Sequence, residues 1–342
     1  AQVLRKLTTS LLAGGDLAGL RPLREAVAAY LGSSRGVACT AAQIVIVSGA
    51  QQALDLIARV LVKPGDAVWM EDPGYSGAAE AFRNARARIV PVRVDDDGLD
   101  PAIGLRLCPR PKAVYLTPAH QFVLGTTLSL KRRFDLLRWS RTSGAVLIED
   151  DYDSEFRFSG RPVPAMKSLH GADDMFLIGT FNKVLFPALR LGYIVVPDTW
   201  IDRLLALRYQ SDRYPPGLAQ ATLARFIEDG HFGRHLRRMR ELYGRRRSAL
   251  AEDVQRYLGG VLELPEIAAG LSTPAYLRNG MSSKQAAALA TQAQVETWGL
   301  DRFALKRRDL RGLLLGYAAF TEREIRIGVQ ALASALTHRP RQ

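Results

Sequence analysis

The 342-residue chain is 47% hydrophobic and 24% charged, an ordinary composition for a soluble globule, and is long enough for two domains or one large α/β unit. Its formal net charge of +13 and pI near 10.0 are not ordinary; they favour anionic partners such as phosphates, acidic metabolites or nucleic acid without choosing among them. Cys39 and Cys108 make neither a metal spacing nor a disulfide framework, no run approaches membrane-spanning length, and the first residues lack a signal-peptide core, so a cytoplasmic chain with no metal and no membrane partner is expected.

In chain order, residues 1–35 read as helix, broken by a Gly/Asp turn, with Leu23, Val27 and Tyr30 at helical spacing in the second half. Ile44 to Val47 is a short buried strand, followed by the turn Ser48-Gly49-Ala50-Gln51. A helix follows with Leu54, Ile57, Ala58 and Leu61 on one face. Strand-like runs recur at 67–71, 87–94, 113–117, 145–150, 175–180 and 191–196, seven in all, with helical stretches at 76–85 and 130–141 between them. That alternation predicts an α/β fold, a seven-stranded mostly parallel sheet with helices on both faces. After Pro197 the chain reads as helix to about Leu258, and 259–342 as a small α+β domain. The expected division is a large domain over 36–245 and a small one built from 1–35 and 246–342.

In such sheets ligands bind outside the carboxyl ends of the strands. Just past those ends lie Gly49-Ala50-Gln51, Tyr75, His120-Gln121, Asp150 with Tyr152, and Thr180 with Lys183; Arg190 introduces the last strand. A lysine between two buried strands is either a solvated loop residue or, if buried and unpaired, one that neutralises and becomes nucleophilic. The set on one rim is what a pyridoxal phosphate site requires. Lys183 would carry the Schiff base and Asp150 would hold the proton on the pyridine nitrogen. Tyr152 would donate to the ring oxygen and Tyr75 would cover the ring face. Gly49–Gln51, Thr180 and Arg190 would hold the phosphate.

Three stretches carry a family resemblance: IEDDYDSEFRFSGRPVPAMKSL, GTFNKVLFPALRLGYIVVP and DRYPPGLAQATLARFIEDGHFGRHLRRMRELYGRRRSAL. They resemble the aminotransferase-like domain of MocR-type regulators, of the GntR superfamily, related to fold-type I aminotransferases. The resemblance runs from about Gly15 to the C-terminus. It implies a pyridoxal phosphate homodimer with sites at the subunit interface, and the same roles for Lys183, Asp150, Tyr152, Tyr75, Arg190, Thr180, Gly49, Ala50 and Gln51.

The sequence also departs from that pattern. His120-Gln121-Phe122-Val123-Leu124-Gly125 stands where relatives tend to read HQFPTG, and aminotransferases place a ring-oxygen asparagine near Phe122. Gln121 or His120 is expected to substitute for it. Ala13-Gly14-Gly15-Asp16 lacks the tyrosine often found before that Gly-Asp. Leu314 falls near the position of the arginine that pairs with a substrate carboxylate, with Arg311 close in sequence. These changes weaken a fast transaminase more than cofactor binding.

The arginines of the helix from His231 could form a nucleic-acid stripe, but Leu236, Met239, Tyr243 and Leu250 make an amphipathic helix with a solvated basic side the simpler account. Too few residues precede Ile44 for a winged helix-turn-helix, so DNA contact is expected only through a domain outside this chain. The main expectation is an effector domain sensing pyridoxal phosphate, or an amine or amino acid by aldimine exchange at Lys183. A working aminotransferase and a sensor of pyridoxal phosphate alone are the alternatives.

Overall fold

The structure is a computed structural model that describes residues 15–161 and 163–337; the helix expected over the first dozen residues lies outside them. In chain order α1 (Arg21–Arg35) leads to β1 (Ile44–Val47), α2 (Ala50–Leu61), β2 (Ala67–Asp72), α3 (Ser76–Asn84) and β3 (Arg88–Asp95), which turns back as β4 (Gly98–Leu99). Then come α4 (Pro101–Leu107), β5 (Ala113–Leu116), α5 (Leu130–Ser143), β6 (Val146–Asp151), β7 (Phe176–Thr180) and β8 (Gly192–Val195). Three helices follow, α6 (Ile201–Ser211), α7 (Gly217–Glu228) and α8 (His231–Leu258). The chain continues through β9 (Leu262–Glu263), β10 (Ser272–Leu277), α9 (Ser283–Gln292), β11 (Trp298–Gly299), β12 (Gly312–Gly316) and α10 (Glu322–Thr337).

All seven expected strands form one sheet, in the order β1-β8-β7-β6-β5-β2-β3-β4. The eighth, β4, is a two-residue edge strand with no apolar run to announce it. Strands β3, β2, β5, β6 and β7 are parallel, and β8 runs antiparallel to both β7 and β1. This reversal has a consequence for the site. The carboxyl ends of β1, β2, β5, β6 and β7 share one rim, and the start of β8, with Arg190 before it, lies on that same rim.

Alternation along the strands sorts the core into two faces. Val45, Val47, Val68, Met70, Tyr115, Val146, Ile148, Phe176 and Ile178 pack on one side with Leu54, Ile57, Phe82 and Leu204 of α2, α3 and α6. On the other side, Ile44, Ile46 and Leu177 pack with Leu23, Val27 and Leu31 of α1, and Trp69, Val114 and Leu147 pack with Leu136 and Leu137 of α5. Helix α1, expected in the small domain, therefore seats its buried stripe on the large sheet.

The second sheet is antiparallel, ordered β11-β12-β10-β9, and its core joins Leu313 and Leu315 to Ala286, Val329 and Leu332. Helix α8, 28 residues and about 42 Å long, serves both units: Phe232 and Leu236 lie in the large core, Leu250, Val254 and Leu258 in the small one. Its arginines are partly committed to stitching. Arg240 Nε donates to the Glu155 carbonyl (3.0 Å), Arg247 Nη1 to that of Ile267 (3.1 Å) and Arg246 to that of Ala318.

Three glycines let β1, β7 and β8 close up beneath the rim. A Cβ on Gly192 would lie 2.8 Å from the Gly179 carbonyl oxygen and 3.1 Å from Gly49 Cα, both backbone atoms that cannot swing away. Gly192→Ala is therefore expected to destabilise the fold by about 1–3 kcal/mol, read as a lower urea midpoint at unchanged m-value.

Candidate functional site

Strand parity decides which acid serves the site. Asp150 continues the Val146–Ile148 face and meets Tyr115, whose hydroxyl donates to Asp150 Oδ2 at 2.7 Å. Its other oxygen, Oδ1, is buried without a hydrogen-bond partner among the described residues. Burial first, then the neighbouring Asp151, Asp153 and Glu71 carboxylates, push the Asp150 carboxyl up to about 7 against the Tyr115 bond. Glu149 and Asp151 face the opposite side: Glu149 accepts from the Met166 and Lys167 amides, and Asp151 pairs with Arg35.

The candidate phosphate turn, Gly49–Gln51, leads into α2. Gly49 (φ 141°) precedes the helix, and a Cβ there would lie 2.6 Å from Asn182 Nδ2. Ala50 and Gln51 begin the helix, where amides lack intrahelical partners. Gln51 is also a bracket, its Nε2 donating to the Gly77 carbonyl (3.0 Å) and its Oε1 accepting from the Tyr75 hydroxyl (3.2 Å). Turn and stacking ring are thus tied together. Thr180 is buried at the end of β7, where its Oγ1 accepts from the Asn182 amide (3.2 Å).

Lys183 and Arg190 lie in the loop between β7 and β8, and both are exposed. Of the two readings of Lys183, the structure shows the exposed loop lysine rather than the buried one: Phe181 and Val184 on either side are buried, and the lysine side chain is not. Neither side chain has a hydrogen-bond or ion-pair partner among the described residues, so both cations are free to take a ligand. Arg190 itself adopts a left-handed conformation (φ 51°, ψ 49°).

Asn182, to which the sequence assigns no role, ties two loops together. Its Nδ2 donates to the Ser48 carbonyl (3.2 Å) and its Oδ1 accepts from the Leu191 amide (2.9 Å), pinning the lysine loop to the phosphate turn. Adjacency to Lys183 was the only available signal. Asn182→Ala is expected to lose about 1–2 kcal/mol of stability in urea titrations and to weaken cofactor retention measured by dialysis.

Tyr152 and His120 meet, but not as interchangeable ring-oxygen donors. The Tyr152 hydroxyl lies 3.1 Å from His120 Nδ1, which is also 3.0 Å from Asp153 Oδ2. A proton on Nδ1 serves Asp153 and leaves the tyrosine proton available to a ring oxygen. Gln121 is committed elsewhere. Its Nε2 donates to the Pro73 carbonyl (2.8 Å) and to Glu71 Oε2 (3.3 Å), and its Oε1 accepts from the Leu124 amide (2.9 Å). The aromatic hub is Phe122, edge-on to Tyr75, Tyr152 and Phe303 with centroids 5.4–5.9 Å apart. Leu314 packs into the adjoining apolar cluster of Val123, Leu300 and Phe303. Arg311 is exposed and immediately precedes β12.

These residues fit pyridoxal phosphate. The orphaned Asp150 Oδ1 suits a protonated pyridine nitrogen, the Lys183 amine and the Arg190 guanidinium, without partners among the described residues, suit a carbonyl and a phosphate respectively, and the glycines leave room for close backbone approach. When bound, that group supplies an electron sink. The chain's own residues would hold its charge, cover its ring and present a lysine amine. No group of His, Cys, Asp and Glu among the described residues could hold a metal ion, and no described helix is long and apolar enough to cross a membrane.

Known proteins resemble this chain in sequence and fold. The family described as "Aminotransferase class I and II" matches residues 3–323. The "Probable rhizopine catabolism regulatory protein MocR" of Rhizobium meliloti is 39% identical over 313 residues, 92% of this chain and 63% of that protein. The chain thus spans less than two thirds of that relative. The "Uncharacterized HTH-type transcriptional regulator YdeL" of Bacillus subtilis is 34% identical over 94% of this chain and 69% of its own length. Among solved structures, Pyrococcus horikoshii kynurenine aminotransferase, crystallised with PMP, superposes with a TM-score of 0.90 at 28% identity, covering 98% of this chain and 84% of that one. The cofactor of the site is pyridoxal phosphate, and the chain belongs to the aminotransferase class I and II family, in the form that MocR-type regulators carry.

Proposed function

We propose that this chain is the effector domain of a MocR/GntR-type transcriptional regulator. It would act as a homodimer, with DNA held by a winged-helix domain outside these residues. Pyridoxal phosphate would be held by Asp150, Tyr152, Tyr75, the Gly49–Gln51 turn, Thr180 and Arg190. A small amine or amino acid would compete with Lys183 for its carbonyl carbon. Such exchange can shift a dimer only by differential binding to its two states. The observation that carries the cofactor part is the unpaired Asp150 Oδ1, buried on the same rim as the exposed Lys183. Regulators among the relatives support the sensing part. So does Leu314, which packs into an apolar cluster and offers no cation to a substrate carboxylate.

The test is spectroscopic. The purified protein is loaded with pyridoxal phosphate and titrated with a panel of amines and amino acids, while keto-acid release is followed over many equivalents. A saturable spectral change without sustained release is the expected result. Sustained multiple-turnover release would establish an aminotransferase instead, and a spectrum that no amine perturbs would leave a sensor of pyridoxal phosphate alone.

A further inference from the structure

Away from Lys183 a crevice of about 280 Å³ opens between α1, the segment after β6 and the small domain. Neither Lys183, Asp150 nor Arg190 lines it. Arg35 does, and it pairs with Asp151, so the crevice lies on the side of the sheet that Asp150 turns away from. At about 30 Å³ per water it holds roughly nine waters or a molecule of similar heavy-atom number. Exposed Ser34, Gly160 and Arg240 form its mouth.

Residues that line it carry buried polar atoms without a hydrogen-bond partner among the described residues. Glu155 Oε1 accepts from the Tyr30 hydroxyl (2.9 Å), but Oε2 is buried without a partner, as are Ser154 Oγ and Arg157 Nε. Arg133, also buried, shows what a structural guanidinium does: it spends its nitrogens on the Leu128, Pro118 and Pro164 carbonyls. Buried polar groups are normally matched. Burial, then Asp151, pushes the Glu155 carboxyl up to about 7, as expected of an acid that lacks a sufficient cation.

We propose that this crevice is a second, non-covalent ligand site for a small zwitterion of amino-acid size. Its ammonium meets Glu155 Oε2, and its carboxylate meets Ser154, Arg157 and the Arg240 guanidinium at the mouth. The occupant touches both domains, because Arg157 bridges to Ala269 of the small domain and Ala269 lines the crevice. His120 lines it as well and contacts the Tyr152 hydroxyl, which gives the site a route to the cofactor rim. The proposal does not rest on the cofactor reading.

The experiment uses cofactor-free Lys183→Ala protein, titrated calorimetrically with glycine, β-alanine and L-serine. Acetate and methylamine serve as half-ligands. Saturable binding of a zwitterion is expected, at least about ten-fold tighter than either half-ligand. Glu155→Gln, which keeps the shape and the Tyr30 bond, should weaken it about ten-fold, and Ser154→Leu should block it. Absence of saturable binding by any of the three, or binding unchanged in either variant, overturns the proposal. Lys183→Ala cannot hold the cofactor covalently, so this outcome is independent of the cofactor assignment.

Discussion

Lys183→Ala is expected to abolish covalent retention of pyridoxal phosphate. In the native protein, borohydride reduction should fix the cofactor to one tryptic peptide containing Lys183, identified by mass spectrometry. The variant should show none, while still binding the cofactor reversibly through Asp150, the α2 N-terminus and Arg190. The lysine is exposed and has no partner among the described residues, so its loss disturbs no packing and the variant should unfold at the native urea midpoint. A reduced adduct that persists in the variant, or maps to Lys167 instead, would remove the assignment of Lys183 as the Schiff-base lysine.

The second large effect belongs to Asp150→Asn. The native carboxylate offers a buried negative charge to a pyridinium, and the amide does not. Removing one member of a buried charge pair costs about 2–5 kcal/mol, so affinity for pyridoxal phosphate should fall by roughly 30-fold or more. Equilibrium dialysis checks this directly.

The same substitution carries a pH signature in the cofactor-free protein. Burial raises the Asp150 carboxyl to about 7, whereas an unfolded aspartate titrates near about 3.9. The folded state thus holds the proton more tightly. The resulting stabilisation is fully present below the unfolded value and is lost as pH rises through about 7. From pH 5 to pH 8 the native protein should therefore lose stability faster than Asp150→Asn, measured by urea titration at each pH. A native slope equal to that of the variant would show that Asp150 does not titrate in this window. Cofactor binding should flatten the native slope, since a pyridinium partner draws the carboxyl back toward its ordinary value.

Much of the fold could be read from local pattern because buried strands demand apolar runs and turns demand glycine. Ile44–Val47 and Phe176–Thr180 are such runs, and every long strand was found where its run lies. The exception, Gly98–Leu99, is two residues paired only because β3 turns back on itself. The antiparallel direction of β8 leaves no mark in LGYIVV either. Only the pairing shows that Arg190 enters from the rim where Lys183 leaves.

The chemistry-bearing types were local too: a lysine, an arginine, an acidic pair and tyrosines beside strand ends. Which member of Asp150-Asp151 faces the site follows from parity once Tyr115 is known to lie beside it, and that requires the β5–β6 register. Gln121 shows the limit most clearly. Its sequence neighbourhood suggested a ring-oxygen donor, but Glu71 and Pro73, fifty and forty-eight positions away, take its amide. The sequence alone determined the element types and the inventory of reactive side chains, because periodicity and turn chemistry act over a few residues. Tertiary structure decided which of those side chains stay without a partner among the described residues, Lys183, Arg190 and one oxygen of Asp150 among them. Hydrogen-bond partners come from distant segments, and a site consists of the groups that folding leaves without one.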